Sequence, residues 1–366
     1  MNIREVTDKT EWNAFFERIG APSFHHSWEW GLFQHHSHKE IIRLGLYDGD
    51  RLVAIVLVVK IIAKRGKYLL VPHGPLFNIQ SNTLTQYVTE TIRARIQTQL
   101  AQITDYLIDL AKQEKFWFIR VAPAFNRDES HKKLFSNLGY QKAPIYVHAE
   151  TMSVLDVTKS EEELMAGMRK NTRYYIRRAI KDGLQVSCHD SVEVADDFLT
   201  LYHTTAKREQ FQPYSDEYIR HEFEAFNTTH NALFFLSGFH NSPKNIIPPK
   251  FAQEGASQIL AGSLVIFTSS SGFYHQGASI HTPYPAAYLL QWHSILEAKR
   301  RGCHYYSFHG VYDQGRTPRA WKGLSLFKRG FGGIDVTYLY TQDYVISPKY
   351  YFSFALDTYL NLKRGV

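Results

Sequence analysis

A short stretch of the chain is crowded with cations: Arg169, Lys170, Arg173, Arg177, Arg178 and Lys181. Arg169, Arg173 and Arg177 recur every four residues, so on a helix they stack along one face. Like charges at that spacing repel by roughly a few tenths of a kcal/mol per pair. Two partners answer that repulsion: phosphates of a nucleic acid, or acids supplied from elsewhere in the fold to a solvated face. Arg208 stands where a helical pattern runs into Glu209-Gln210-Phe211-Gln212-Pro213-Tyr214. A guanidinium there can clamp a phosphate or carboxylate with two parallel hydrogen bonds, or merely compensate the negative end of its own helix.

A third segment, Gly323 to Gly333, combines Lys328 and Arg329 with apolar flanks and closely spaced glycines. Glycine lets backbone approach a ligand, and a lysine held in such a place stabilises a developing oxyanion. On its own the segment also reads as a glycine-bounded strand with an exposed lysine. The glycine–lysine spacing does not make a phosphate-binding P-loop. His25, His26, His35, His36 and His38 cluster without a cysteine or the H-E-x-x-H spacing, so no metal site is expected. No G-x-S-x-G elbow, G-x-G-x-x-G fingerprint or paired carboxylates suited to glycoside chemistry occur.

The elements that must position these residues follow from periodicity. Asp8-Lys9-Thr10-Glu11-Trp12 is a capped helix start. Ile41–Tyr47 and Arg51–Ile62 are strand-like around the turn Asp48-Gly49-Asp50, Tyr68–Val71 follows, and Pro72-His73-Gly74-Pro75 is a loop. Helical spacing runs from Leu84 to Leu110, and Phe116–Val121 is a buried strand. A second pattern opens with the strand Thr151–Val157 and the capping-box spacing at Ser160–Glu163, whose helix is expected to continue through Ala179 to a stop at Gly183. A helix over Val192–Lys207, strands at Leu233–Phe239, Gln258–Thr268 and Phe273–Ser279, a helix over Tyr284–Arg301 and a strand at Cys303–Phe308 complete it. The stretch His240 to Ser257 is a Pro/Asn/Ser-rich loop. Arg51–Val58 and Gln258–Val265 share a polar, apolar, apolar, Ala pattern before each strand series, which points to two copies of one mixed α/β unit.

Composition limits the function classes. The 366 residues suit about two domains, and 44% hydrophobic with 21% charged residues excludes a largely disordered chain. A net charge of +7 fits an anionic partner without naming one. Cys188 and Cys303 form no disulfide framework or metal pair. The amino terminus has charges where a signal peptide needs an apolar stretch, and the apolar run Leu52–Ala63 is interrupted by Lys60. No amphipathic anchor stands out. The expectation is a soluble, cytoplasmic protein.

Taken together, these segments resemble the FemABX family, the transfer-RNA-dependent aminoacyl ligases of bacterial cell-wall synthesis. The likeness runs along nearly the whole chain. Ser23-Phe24 through Trp28-Glu29-Trp30-Gly31 is similar to S-F-x-Q-S-x-E-W-G, and Pro72-His73-Gly74-Pro75 to P-R-G-P. Arg169 to Ala179 resembles M-x-x-x-x-R-x-x-I-R-x-A, and Thr205 to Phe211 resembles T-x-x-R-x-x-F. Tyr274, Leu290-Gln291-Trp292 and Ala298 follow the family order, as do Gly323-Leu324, Phe327-Lys328 and Phe331-Gly332 of G-L-x-x-F-K-x-x-F-G. Three departures stand out: His73 for the arginine of P-R-G-P, Ala122 where relatives often carry an acid, and the absence of a long coiled-coil arm, as in the smaller FemX-like members.

The resemblance implies an α/β (α+β) fold of two GNAT-like acyltransferase domains, each a mixed, mostly antiparallel sheet flanked by helices. The domains are expected at 1–148 plus about 341–366, and at 149–340. It implies transfer of Gly, Ala or Ser from charged transfer RNA to an amine of the peptidoglycan stem peptide, on UDP-MurNAc-pentapeptide or lipid II, without ATP, metal or other cofactor. Lys328 is then the catalytic residue, and Arg208, Tyr274, Trp30 and Phe327 bind substrate. The basic helix, with Lys170, Arg173 and Arg177, is the expected contact for transfer-RNA phosphates. Peripheral contact at the inner face of the cell membrane is a further expectation for a lipid-linked acceptor. Two other readings are an acyl-CoA-dependent N-acyltransferase on the same fold and a non-catalytic RNA-binding module. The first lacks the glycine-rich turn that holds a pyrophosphate, since Arg300-Arg301-Gly302 stands at a helix end instead.

Overall fold

Local chemistry starts most of the elements in the computed structural model, which describes residues 1–64, 66–78, 89–239 and 258–366. Asp8 caps α1 (Lys9–Arg18) by accepting the Thr10 amide at 2.8 Å. After β1 (Asn2–Glu5) and α1 come α2 (Trp28–His36), β2 (Ile41–Asp48), β3 (Arg51–Ala63), β4 (Gly66–Val71) and β5 (Leu76–Phe77). The chain continues with α3 (Glu90–Gln113), β6 (Phe118–Val121), α4 (Glu129–Ser136), β7 (Gln141–Lys142), β8 (Thr151–Asp156), α5 (Glu161–Gly167) and α6 (Lys170–Lys181). Then follow β9 (Gln185–His189), α7 (Ala195–Glu209), α8 (Asp216–Asn227), β10 (Ala232–Phe239), β11 (Gln258–Phe267), β12 (Ser271–Ser279) and α9 (Ala286–Arg300). The last elements are β13 (Tyr305–Gly310), α10 (Trp321–Arg329), β14 (Ile334–Thr337), β15 (Gln342–Val345) and α11 (Tyr350–Lys363). The expected loop His240 to Ser257 and the start of the helical spacing at 84–88 lie outside the described residues.

The chain forms two compact units, Met1–Met152 with Gly310–Ser325 and Asp335–Val366, and Ser153–His309 with Leu326–Ile334. One sheet runs β1–β2–β3–β4–β6–β15–β7, with β5 on β3, and the other β14–β8–β13–β12–β11–β10–β9. Both are mixed and mostly antiparallel, as expected. The parallel pairs, β4 with β6 and β12 with β13, fall at the same place in each order. Three antiparallel strands, a helix and a parallel strand thus occur twice, and β3 and β11, the two segments of like pattern, are the middle strands of their triplets.

The last part of the chain completes the first unit through a buried charge. Arg120 of β6 forms a two-pronged bond with Asp343 of β15, at 2.7 and 2.8 Å, and reaches Asp357 of α11 at 3.0 Å. Two carboxylates keep this guanidinium charged although Arg120 is buried. Gly310–Ser325, which the expected boundary leaves with the second domain, clusters with the first unit. Arg316 binds both oxygens of buried Glu150, at 2.6 and 2.7 Å, and Arg127 holds Asp313 at 2.8 Å.

The second unit departs from one expectation. The capping box closes as expected, with the Ser160 amide bonded to Glu163 at 2.8 Å and the Glu163 amide to Ser160 at 3.2 Å. The helix stops at Gly167, however, and a second one starts at Lys170, because Met168 turns extended and the Arg169 amide bonds the Gly330 carbonyl at 2.9 Å. Gly183 then ends α6 in the left-handed region, at φ +81°. No helix among the described residues is long and apolar enough to cross a membrane.

Removing one partner of a buried ion pair strands the other, at a cost of about 3–5 kcal/mol. Asp343→Ala is expected to lower stability by that amount in urea unfolding followed by circular dichroism. Lys132→Ala, which breaks the exposed pair with Glu129, should change it by less than about 1 kcal/mol.

Candidate active site

Lys328 lies near the end of α10, a helix and not the strand that its glycines suggested, and it is buried instead of exposed. Gly332 and Gly333 pack against the chain's own backbone. A side chain on Gly332 would come within 2.8 Å of the Gly167 carbonyl, and one on Gly333 within 3.0 Å of the Val154 carbonyl. They thereby hold the end of α10 against the α5–α6 break and β8. Phe327 and Phe331 anchor the same segment, with ring centroids 5.3 Å apart and Tyr288 of α9 at 4.9 Å from Phe327. Lys328 Nζ lies 5.7 Å from the centre of the Tyr274 ring on β12. Burial pushes the Lys328 ammonium down to about 7 and the Tyr274 phenol up to about 12. The structure thus brings Lys328, Tyr274 and Phe327 together, around a lysine that changes charge near neutral pH.

Arg208 stands at the end of α7, where Gln210 turns left-handed at φ +56°. Its Nη1 donates to the Ser279 carbonyl at 2.6 Å and its Nε to Glu209 at 2.7 Å. Thr205, one turn earlier, accepts the Ser279 amide at 2.9 Å. The helix end is therefore stitched to the end of β12, five residues beyond Tyr274, and the guanidinium remains partly exposed. Between those positions His275 bonds Glu222 of α8 at 2.8 Å, and Glu222 is fully buried. Sequence reasoning missed this pair, because its members are 53 positions apart and neither stands in a motif.

The basic helix α6 splits its cations. Lys170 and Arg177 are exposed. Arg173 turns back to bond the Ala166 carbonyl at 3.1 Å and the Met168 carbonyl, satisfying the end of α5. Arg178 pairs with Asp182 at 3.3 Å.

Trp30 belongs to the first unit, in a buried cluster with His25 at 4.6 Å and Phe24 at 5.5 Å between ring centres. His25 in turn lies 4.9 Å from His73 and 4.1 Å from His148. The histidine-rich segment has a structural job beside it. His26 Nδ1 bonds the Pro72 carbonyl at 2.7 Å, and its Nε2 accepts the Leu57 amide at 2.7 Å. A side chain on Gly74 would run into that imidazole, so the Pro72–Pro75 turn closes around His26. Burial pushes His26 down to about 4 and His73 to about 3. His73 is consequently neutral at physiological pH, and the position supplies no cation. A recess beside the Arg316–Glu150 pair, bounded by Tyr146 and Trp321, is too narrow for a ligand.

Lipid II:glycine glycyltransferase of Staphylococcus epidermidis is 20% identical over 312 residues, which span 69% of this chain and 74% of that protein. The crystal structure of FemX superposes with a TM-score of 0.79 at 16% identity, covering 96% of this chain and 99% of the other. A tandem GNAT protein from the clavulanic acid biosynthesis pathway does so with a TM-score of 0.51 at 10% identity, covering 95% and 99%, which places the fold among tandem acetyltransferase-like proteins. The sequence model described as the FemAB family matches residues 7–242 and 245–358, so the chain belongs to the FemAB family and is a transferase.

Proposed function

We propose that this protein transfers an amino acid, glycine, alanine or serine, from charged transfer RNA to an amine of the peptidoglycan stem peptide. The acceptor is UDP-MurNAc-pentapeptide or lipid II, and with lipid II the enzyme works at the inner face of the cell membrane. The observation that carries the reading is the buried Lys328 beside Tyr274 in a FemAB-family chain. The similarity to a lipid II:glycine glycyltransferase supports the acceptor class.

The aminoacyl ester is already activated. The acceptor nitrogen attacks the ester carbonyl carbon, a C–N bond forms, and the carbonyl oxygen becomes an oxyanion. Collapse breaks the bond to the ribose oxygen, which gains a proton as the nitrogen loses one. Most of the catalysis is alignment of amine and ester. The Lys328 ammonium donates to the oxyanion in a site that excludes water. Arg208, with a planar fork at a helix end, grips the anionic part of the acceptor, and Tyr274 and Phe327 line the cleft. Trp30 of the first unit is kept as a substrate-binding residue on the family resemblance. Lys170, Arg173 and Arg177 are assigned to transfer-RNA phosphates, with Lys170 and Arg177 the exposed members.

Mass spectrometry of both acceptors, after incubation with the protein and a pool of charged transfer RNAs, tests the reading. A mass gain of one amino acid, abolished by ribonuclease, is expected. No gain, with acetyl-CoA consumed by an amine in parallel, would replace it with an acyl-CoA-dependent activity.

Lys328→Ala should lower kcat by roughly two to three orders of magnitude, the scale of losing one oxyanion donor, with an unchanged circular dichroism spectrum. The ammonium is present below about pH 7 and lost above it. The advantage of wild type over Lys328→Ala should therefore shrink as pH rises through 7. An advantage constant from pH 6 to 9 would remove the ammonium from the mechanism. Arg208→Lys keeps a charge but not the fork. It should raise KM for the acceptor about tenfold or more while changing kcat little, measured by varying acceptor at saturating charged transfer RNA.

A further inference from the structure

A helix that packs on a sheet ordinarily buries its apolar stripe and exposes its polar one. The last helix, α11, leaves most of its large apolar side chains outside. Tyr350, Ser353 and Asp357 face the sheet. Asp357 is bonded to Arg120, and Ser353 packs so tightly on Gly66 that a side chain there would lie 2.5 Å from its Oγ. The outer face carries Tyr351, Phe352, Tyr359 and Leu362, which are 62%, 60%, 61% and 69% exposed. With exposed Ala355, and at 100° per residue, they fall within an arc of roughly 100° along the whole helix.

The exposed charges at the two ends of this helix have one sign. Lys349 precedes the helix, Lys363 and Arg364 end it, and all three are exposed. Its one acid, Asp357, is spent inside on Arg120. The β3–β4 hairpin meets the helix at Gly66, which lies against Ser353. Tyrosine and phenylalanine between cationic ends match the boundary between lipid headgroups and acyl chains, where the rings enter the apolar zone and the cations meet anionic headgroups. A helix of 14 residues is too short to span a bilayer, which takes about 20. A second copy fits poorly, since antiparallel pairing of two such faces would set Lys349 against Lys363 and Arg364 with no exposed acid on the helix between them.

We propose that the outer face of α11 is a docking surface for anionic membrane lipid, on which the helix lies in the plane of the interface. The inference rests on the geometry of this helix and not on the acceptor assigned above.

The test is co-sedimentation of the full-length chain with vesicles of phosphatidylcholine, with and without phosphatidylglycerol. Binding to the phosphatidylglycerol vesicles is expected, weakening as salt is raised. The double variant Phe352→Glu/Leu362→Glu should bind at least about tenfold less, with an unchanged Tm because both side chains are exposed. Lys363→Glu/Arg364→Glu should lose the preference for anionic vesicles. Failure of the wild type to bind either vesicle, or equal binding by the apolar variant, overturns the proposal. So does a dimer in light scattering that the Phe352→Glu/Leu362→Glu variant dissolves, which would assign the face to a second copy. No turnover is read, so the outcome is independent of the proposed reaction.

Discussion

A guanidinium buried in the first unit cannot be left without carboxylates, and Arg120 finds both of its partners more than two hundred residues later in the chain. Much else in that unit follows from this requirement. Asp343 brings β15 between β6 and β7, so the first sheet is incomplete until the end of the chain arrives. Asp357 fixes the rotation of α11, and Ser353 on Gly66 fixes its closeness to β4. A rotation that buried Phe352 and Leu362 would withdraw Asp357 from the guanidinium and leave a buried charge half satisfied, at a cost of several kcal/mol. The outward apolar face is therefore a consequence of an inward ion pair.

The second unit is organised around close backbone contact. Gly332 and Gly333 let the chain after α10 pass against Gly167 and Val154, where a side chain would collide. The Arg169 amide then bonds Gly330, and Arg173 satisfies the last carbonyls of α5. The break between α5 and α6 is thus the receptor for the glycine-rich segment. Because that segment is pinned, Lys328 is carried into the interior beside Tyr274 and does not reach solvent.

The strands β2, β3, β10 and β11 were legible because each is an apolar run bounded by turn residues, and the helix α3 because its apolar periodicity is long. The two-unit fold was legible through the repeated strand pattern and the order of family-like motifs along the chain. The single helix expected after Ser160 was not correct, since periodicity persists across Met168 and only a tertiary hydrogen bond to Gly330 interrupts it. The Glu222–His275 pair and the Arg120 network left no local signal, as their members are joined only by the fold. The helix α11 escaped for a related reason. Tyr350 stands with Ser353 and Asp357 on its inner face and Phe354, Leu356 and Leu360 on its flanks, so its pattern gives no clean amphipathic stripe.

The burial of Lys328 also bears on why a lysine, and not an arginine, stands at that position in the proposed reaction. An arginine stays charged throughout and would attract the acceptor's anionic groups as strongly before the reaction as during it. A lysine poised near pH 7 is only partly charged in the resting site. An oxyanion forming beside it raises its proton affinity, so the cation is favoured most when the tetrahedral intermediate is present. The stabilisation is therefore larger for the transition state than for the bound substrates, which is the condition for raising kcat and not merely binding. Desolvation, which costs the fold a buried ammonium, thereby gives the site a charge that strengthens as the reaction proceeds.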